Sequence, residues 1–158
     1  MQRKFIEYDL PLEKISEESA REKNIHHGHP STLHIWWARK PLAVSRAVAL
    51  ATLLEDPGSE NSKKREKITE LIKKIAPWEA VKNGNSKDIQ EAQRLVEEQY
   101  GDSPPKVLDP FAGGGSIPLE TLRMGAETYS SDYNPVAVFI EKVTVEWPQK
   151  FGIKAKIP

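Results

Sequence analysis

The alternation of apolar and polar positions changes character several times along the chain. Residues 1–10 carry no helical or strand rhythm and read as extended or irregular. Pro11 opens a helix that runs through Lys23, with Leu12, Ile15, Ser19 and Ala20 as a weak inner face. Residues 24–40 lose the rhythm: Gly28 and Pro30 punctuate a loop that holds His26, His27, His29 and His34 and the adjacent Trp36 and Trp37. Two neighbouring indoles are costly to leave in water, so the loop is expected to pack down, one Trp in the core and one partly exposed. Pro41 starts the clearest helix, apolar at Leu42, Val44, Val48, Leu50, Ala51, Leu53 and Leu54, and stopped by Asp56-Pro57-Gly58-Ser59. Apolar residues on most of its surface place it between layers. Arg46 within it requires a partner, and a carboxylate near the functional site is the expected one.

Residues 59–104 are richer in lysine, and Ile68, Leu71, Ile72 and Ile75 recur at helical spacing. Beyond Pro77 and an Asn83-Gly84-Asn85 turn, a second amphipathic helix is predicted over residues 86–100, with Ile89, Ala92, Leu95 and Val96 on one side. This stretch reads as a helical insert between two parts of a core. The last third changes again: a strand at Lys106-Val107-Leu108, a glycine turn, a helix over residues 116–124 ended by Gly125, and a strand over 127–131. Asn134-Pro135 then caps an apolar element over residues 136–145. Residues 105–146 thus form a βαβα unit, which implies a parallel sheet and an α/β fold.

The 158 residues suit one domain, and Lys plus Arg equals Asp plus Glu at 23 each, which argues against holding nucleic acid by bulk charge. The absence of Cys excludes disulfides, thiolate zinc sites and Cys nucleophiles within the sequence. No apolar run reaches the about 20 residues of a membrane span, and the start shows no signal-peptide pattern, so a cytoplasmic location with no membrane partner is expected. The four histidines lack the helical His-x-x-x-His spacing of a metal site, and a packed loop is the expectation there. The basic run from Lys63 to Lys74 reads as a solvated helix face rather than a phosphate-binding surface.

The densest chemistry lies in Val107-Leu108-Asp109-Pro110-Phe111-Ala112-Gly113-Gly114-Gly115-Ser116. A strand ends in a carboxylate, three glycines let backbone approach a ligand, and a helix begins at the same place. A second acid, Asp132, ends the next strand, so both carboxylates fall at the carboxyl edge of the sheet. A nucleoside with a carboxylate on its ribose hydroxyls fits this layout. A dinucleotide fits less well, because Gly113-x-Gly115 is followed by Pro118 rather than a third glycine, and no Gly-Lys-Ser/Thr is present for a nucleotide phosphate. An acid at the end of the first strand suits an ammonium group, which points to S-adenosylmethionine. The alternative is a purely structural glycine turn.

Asp109-Pro110-Phe111-Ala112-Gly113-Gly114-Gly115-Ser116 resembles the cofactor motif of amino-methyltransferases acting on DNA, commonly Asp-Pro-Phe-x-Gly-Ser-Gly. His29-Pro30-Ser31-Thr32 and Arg39-Lys40-Pro41-Leu42 resemble that family's other cofactor segment, His-Pro-Thr-Gln-Lys-Pro, split by eight residues (Leu33 to Lys40) between Thr32 and Pro41. From Tyr8-Asp9-Leu10-Pro11 through Ile35-Trp36-Trp37-Ala38-Arg39-Lys40-Pro41 to Ser131-Asp132-Tyr133-Asn134-Pro135, the chain is similar to the N-terminal region of large adenine-specific DNA methylases, some with a zinc ribbon. The resemblance implies a partial Rossmann-like methyltransferase fold with N-terminal helices and a helical insert. It implies that Asp109 and Pro110 lie near the methionine part of the cofactor, and that Phe111 and Ala112 line the pocket. Gly113 and Gly115 would approach the cofactor, Asp132 would take the ribose hydroxyls, Tyr133 and Asn134 would lie beside the adenine, and Lys40 and Pro41 against the methionine end.

The Asp/Asn-Pro-Pro-aromatic motif that accepts the target amine of a flipped adenine is absent: Asp102-Ser103-Pro104-Pro105 and Ala76-Pro77-Trp78 do not match it. No catalytic or metal-ligating residue is therefore assigned. The expectation is the cofactor-binding region of a longer or split enzyme, inactive alone. Its partners would be DNA through the complete enzyme, the missing catalytic half, and other copies of itself. The alternatives are a non-catalytic nucleotide-binding or interaction module, or a fragment of an RNA or protein methyltransferase.

Overall fold

A computed structural model describes residues 3–82, 84 and 86–152. In chain order the elements are α1 (Leu12–Glu22), α2 (Leu42–Leu53), α3 (Ser62–Ile75), the single turn α4 (Glu79–Lys82), α5 (Lys87–Tyr100), β1 (Lys106–Asp109), α6 (Ser116–Arg123), β2 (Glu127–Ser130), α7 (Pro135–Glu141) and α8 (Trp147–Phe151). A π-helical stretch, Lys142–Glu146, joins the last two. β1 and β2 pair in parallel, from Lys106 opposite Glu127 to Asp109 opposite Ser130, with α6 as the crossover. The architecture is mixed α/β, mostly helical, with a two-stranded parallel sheet among the described residues.

α2 is the hub. Leu42, Ala43, Ala47, Leu50 and Ala51 are completely buried, and the helix touches α1, α3, α5 and α6. Ile68, Leu71, Ile72 and Ile75 of α3 and Ile89, Ala92 and Val96 of α5 join Leu50, Phe5 and Met124 in one apolar cluster. The lysine-rich segment therefore helps build the same core that α2 and α6 share. Each large side chain buried there contributes about 1.5–3 kcal/mol of transfer free energy.

Arg46 on α2 does find a carboxylate. Its Nε and Nη2 donate to Glu120 Oε2 and Oε1 of α6 at 2.8 and 3.1 Å, and both side chains have no solvent exposure. Nη1 donates to the carbonyls of Ile75, Ala76 and Pro77 at 2.6, 3.0 and 3.2 Å, so the guanidinium also satisfies the end of α3. Arg123 makes a further ion pair with Glu120. One cation thereby ties three helices together in the interior.

Four expectations are corrected. The N-terminal stretch is docked rather than irregular: Phe5–Glu7 forms a 3-10 turn, Phe5 is fully buried, and its N–H donates to Leu54 O at 2.9 Å. The inner face of α1 is Ile15, Glu18, Ser19 and Glu22, while Leu12 is 66% exposed and Ala20 is exposed. The cause is a polar contact. Glu22 accepts the free N–H groups of Leu42 and Ala43 at 2.7 and 2.9 Å, capping α2 from a neighbouring helix, and Lys14 and Arg21 neutralise Glu18. The apolar element after Asn134-Pro135 is not one helix: α7 ends at Glu141 and the backbone widens into the π stretch. Pro148 has no N–H to give Thr144, and the Thr144 hydroxyl donates back to Ile140 O at 2.8 Å; both loosen the α-helical ladder. Lastly, Trp36 and Trp37 do not divide between core and surface. They stack on each other, centroids 5.0 Å apart and planes 14° apart, with Trp37 83% exposed. Of the predicted Asn83-Gly84-Asn85 turn, Gly84 has φ +73°, whereas Asn83 and Asn85 lie outside the described residues.

Candidate functional site

The glycine turn is fixed by backbone bonds to the end of β2. Ala112 N–H donates to Ser131 O at 3.1 Å, Ser131 N–H to Asp109 O at 3.0 Å, and Gly115 N–H to Ala112 O at 2.8 Å. Asp109 Oδ1 accepts Phe111 N–H at 3.2 Å, and the Ser131 hydroxyl donates to Pro110 O at 3.2 Å. Asp132 spans the turn: Oδ1 accepts Asn134 N–H and Oδ2 accepts Gly113 N–H, each at 2.8 Å. These backbone donors, from Asn134 and then Gly113, hold its carboxyl below the usual aspartate range. Each oxygen retains acceptor capacity beyond these bonds. Gly113 and Gly115 have φ of +53° and +72°, a region that L side chains resist.

The loop over residues 24–40 folds back onto this turn. A Cβ on Gly113 would stand 2.8 Å from Trp36 Nε1; one on Gly114 would stand 3.1 Å from Arg39 Nε and 3.3 Å from Trp36 Cβ. The first two glycines thus admit Trp36 and Arg39. The third faces the other way: a Cβ on Gly115 would meet Glu141 Cγ at 3.4 Å, so this glycine seats the turn against α7.

Between loop and turn lies a cleft of about 350 Å³, within the usual range of small-molecule sites. Of the residues singled out from the sequence, Lys40, Asp109, Phe111, Ala112, Gly113 and Asp132 line it. Phe111 stands at the rim, 83% exposed. Trp36, Ala38, Arg39, Gly114, Ser116 and Ile117 complete the wall. Pro41, Pro110, Gly115, Tyr133 and Asn134 lie outside the lining. Pro41 precedes α2 and its carbonyl accepts Ser45 N–H at 3.0 Å; Asn134 caps α7 by accepting Val136 N–H at 2.9 Å; Tyr133 is fully exposed.

Two polar groups at the site receive no individual role from the sequence. Arg39 is half-buried, and burial pushes its pKa down; its Nε and Nη2 are buried without an acceptor among the described residues. Glu141 of α7 is 6% exposed, and its Oε1 is without a donor among the described residues. Burial, and then the charges of Asp132 and Asp109, raise its pKa. A lone acid closing the apolar run Val136-Ala137-Val138-Phe139-Ile140 was the only sequence signal for it.

The histidines do not converge. His29 is buried, its Nδ1 accepting Ser31 N–H at 3.2 Å and lying 2.6 Å from Ser31 Oγ, its ring edge-on to Trp78. His26, His27 and His34 are exposed. Among the described residues no group of three or more His, Cys, Asp or Glu side chains is placed to hold a metal ion. A wider open groove of about 980 Å³ runs between α3 and α5. It is lined by five basic residues (Lys63, Lys64, Lys67, Lys74 and Arg94) and by as many acidic ones, so it presents no cationic track. No helix among the described residues is long and apolar enough to cross a membrane.

Fold and site together define an α/β protein with a small-molecule-sized cleft at the carboxyl edge of two parallel strands. Residues 9–77 match a family model described as a protein of unknown function (DUF1156). That span carries α1, the Trp36–Lys40 wall of the cleft, α2 and α3, and ends before the glycine turn. No curated protein and no solved structure matches the chain.

Proposed function

We propose that the cleft binds S-adenosylmethionine and that the chain is the cofactor-holding region of a Rossmann-like, adenine-specific DNA methyltransferase. The supporting observation is that Asp109 and Asp132, at the ends of adjacent parallel strands, line the same cleft as the glycine turn and Lys40. In this reading Asp109 holds the ammonium of the methionine end. Asp132, kept ionised by its two backbone donors, uses its remaining acceptor capacity for the ribose hydroxyls. Gly113 contributes backbone at close range.

In the complete enzyme the bound cofactor would supply the methyl group, transferred to the amine nitrogen of a flipped adenine as its bond to sulfur broke and left the electron pair on sulfur. The amine's proton leaves to solvent or to a base on the catalytic half. This chain's contribution is placement, which lowers the barrier by fixing the methyl donor in line. The residues over 105–146 form the cofactor unit, residues 59–104 a helical elaboration, and the amine-accepting motif and the DNA-reading surface belong to a catalytic half in the same or a second chain. The exposure of Leu108, Phe111 and Tyr133 at the strand ends and their turns, and of Phe139 on α7, supports a covering half of this kind.

Calorimetric titration with S-adenosylhomocysteine, NAD and ATP tests the reading. Selective binding of S-adenosylhomocysteine, weakened at least about tenfold by Asp132→Asn, is expected. Tighter binding of NAD or ATP, or Asp132→Asn binding as well as wild type, contradicts it. Asn is preferable to Ala because Asp132 also holds the turn, and the amide retains one acceptor for it.

A further inference from the structure

Three carboxylates surround the glycine turn, and none stands in an ion pair among the described residues. The donors that Asp109 and Asp132 find are neutral backbone N–H groups, of Phe111 for the first and of Gly113 and Asn134 for the second. Arg39 and Lys40 share the cleft with them, yet pair with neither acid among the described residues. The third acid, Glu141, packs on the turn from α7: it is 6% exposed, and a Cβ on Gly115 would meet its Cγ at 3.4 Å. Its Oε1 is buried without a donor among the described residues, and the side chain of Ser130 supplies its carboxyl with one hydrogen bond.

Among the described residues no cation neutralises Glu141. On its own helical stretch Lys142 is exposed and Glu146 is paired with Lys150. On α6, which packs against the π-helical stretch, Glu120 is taken up by Arg46 and Arg123. The charges that act on Glu141 are the two acids of the cleft, Asp132 and Asp109, which join burial in raising its pKa against the Ser130 bond. A buried acid perturbed by specific neighbours beside a cleft is the pattern that functional sites show. Those neighbours are also the groups that a cationic ligand entering the cleft would neutralise.

We propose that Glu141 is a proton-bearing third acid of the cleft: it holds its proton while Asp109 and Asp132 are unpaired and releases it when a cationic ligand group neutralises them. The inference rests on the S-adenosylmethionine reading above and adds a proton linkage to it. An ammonium at Asp109 removes part of the repulsion that keeps Glu141 protonated, and the proton passes to solvent. Linkage is reciprocal, so ionised Glu141 strengthens binding of the cation by the same factor. Between the lower pKa of Glu141 in the bound chain and the higher one in the free chain, binding releases a proton and affinity rises with pH; outside that window affinity is flat. Asp132, held below the usual aspartate range, keeps its charge through the window. Glu141 touches no ligand and takes no part in the transfer.

The test is calorimetry with S-adenosylmethionine, which carries an ammonium and a sulfonium, and with 5′-methylthioadenosine, which carries neither. Buffers of different ionisation enthalpy from pH ~5 to ~7 count the protons released, below the titration of the ligand's own amine. Wild type is expected to release a fraction of a proton on binding the first ligand and none on binding the second, with affinity for the first rising about fivefold or more across the window. Glu141→Gln should release none and hold the low-pH affinity of wild type at every pH. In the ligand-free chain, ¹³C-carboxyl NMR should show Glu141 titrating lower in Asp132→Asn than in wild type, an arm that serves if the Glu141 variant does not fold. Four results overturn the proposal: binding of S-adenosylmethionine without proton release, release that survives Glu141→Gln, equal release with both ligands, or a Glu141 titration that Asp132→Asn leaves unchanged. Binding of neither ligand by folded wild type contradicts the cofactor reading itself, an outcome distinct from all of these.

Discussion

Arg46 and Glu141 present opposite solutions for a buried charge. Arg46 is neutralised by Glu120 and hydrogen-bonded to three carbonyls. Removing one partner leaves the other uncompensated, so Glu120→Ala should destabilise the fold by about 3–5 kcal/mol in urea unfolding. Glu141 has no counter-ion among the described residues, and burial, joined by Asp132 and Asp109, holds its carboxyl above the ordinary glutamate value against an opposing hydrogen bond from Ser130. The folded state therefore binds its proton more readily than the unfolded state. Below the unfolded pKa both states are protonated and no penalty exists. The penalty grows as pH rises through the unfolded and then the raised folded value, and is complete above it. Glu141→Gln should accordingly raise Tm by a few degrees at neutral pH and leave it nearly unchanged below pH ~4. An equal shift at both pH values would contradict this origin.

Local rules act on the elements where periodicity is strong. The apolar spacing of Ile68, Leu71, Ile72 and Ile75 marked α3 because that pattern is itself the packing face, and the Asp109–Ser116 turn between two short predicted strands marked the parallel βαβ unit. α1 was misread at Leu12 and Ala20 because its inner face is polar: Glu22 caps a helix twenty residues away, and no window of sequence around α1 contains that helix start. The contact of Trp36 and Arg39 with Gly113 and Gly114 was illegible for the same reason, since the glycines read as room for a ligand until the loop is seen lying on them. Two predictions belong here. Glu22→Gln keeps the shape but loses the charge at the α2 N-terminus, and should cost about 0.5–2 kcal/mol by urea unfolding. Gly113→Ala meets both a positive φ and Trp36 Nε1, so it should shift the tryptophan emission and cost about 1–3 kcal/mol; an unchanged spectrum and unchanged stability would contradict the loop–turn contact.

At the scale of the whole molecule, α2 and the Arg46–Glu120 pair join the N-terminal helices, the lysine-rich helices and the βαβ unit around one core. The carboxyl edge of the sheet is the opposite of that core. Leu108, Phe111 and Tyr133 of the strand ends and their turns, and Val136 and Phe139 of α7, are exposed, and the two short strands have no further neighbours among the described residues. Exposed strand edges beside apolar side chains favour association, so light scattering should show an average mass that rises with concentration. A constant monomer mass across a wide range would contradict it. With equal basic and acidic residues overall and on the α3–α5 groove, DNA binding by this chain should be weak and salt-sensitive; tight sequence-specific binding at physiological salt would place recognition within it after all.

The central claim is that the cleft between the Trp36–Lys40 loop and the glycine turn is an S-adenosylmethionine site. The most direct measurement is an amide and arginine side-chain NMR titration of the ¹⁵N-labelled chain with S-adenosylhomocysteine. The account predicts saturable shifts at Phe111, Gly113, Gly114 and Asp132 and at the Arg39 Nε–H, with the amides of α3 and α5 unmoved. Saturable shifts confined to the α3–α5 groove, or a spectrum of the folded chain that the ligand leaves unchanged, would contradict it.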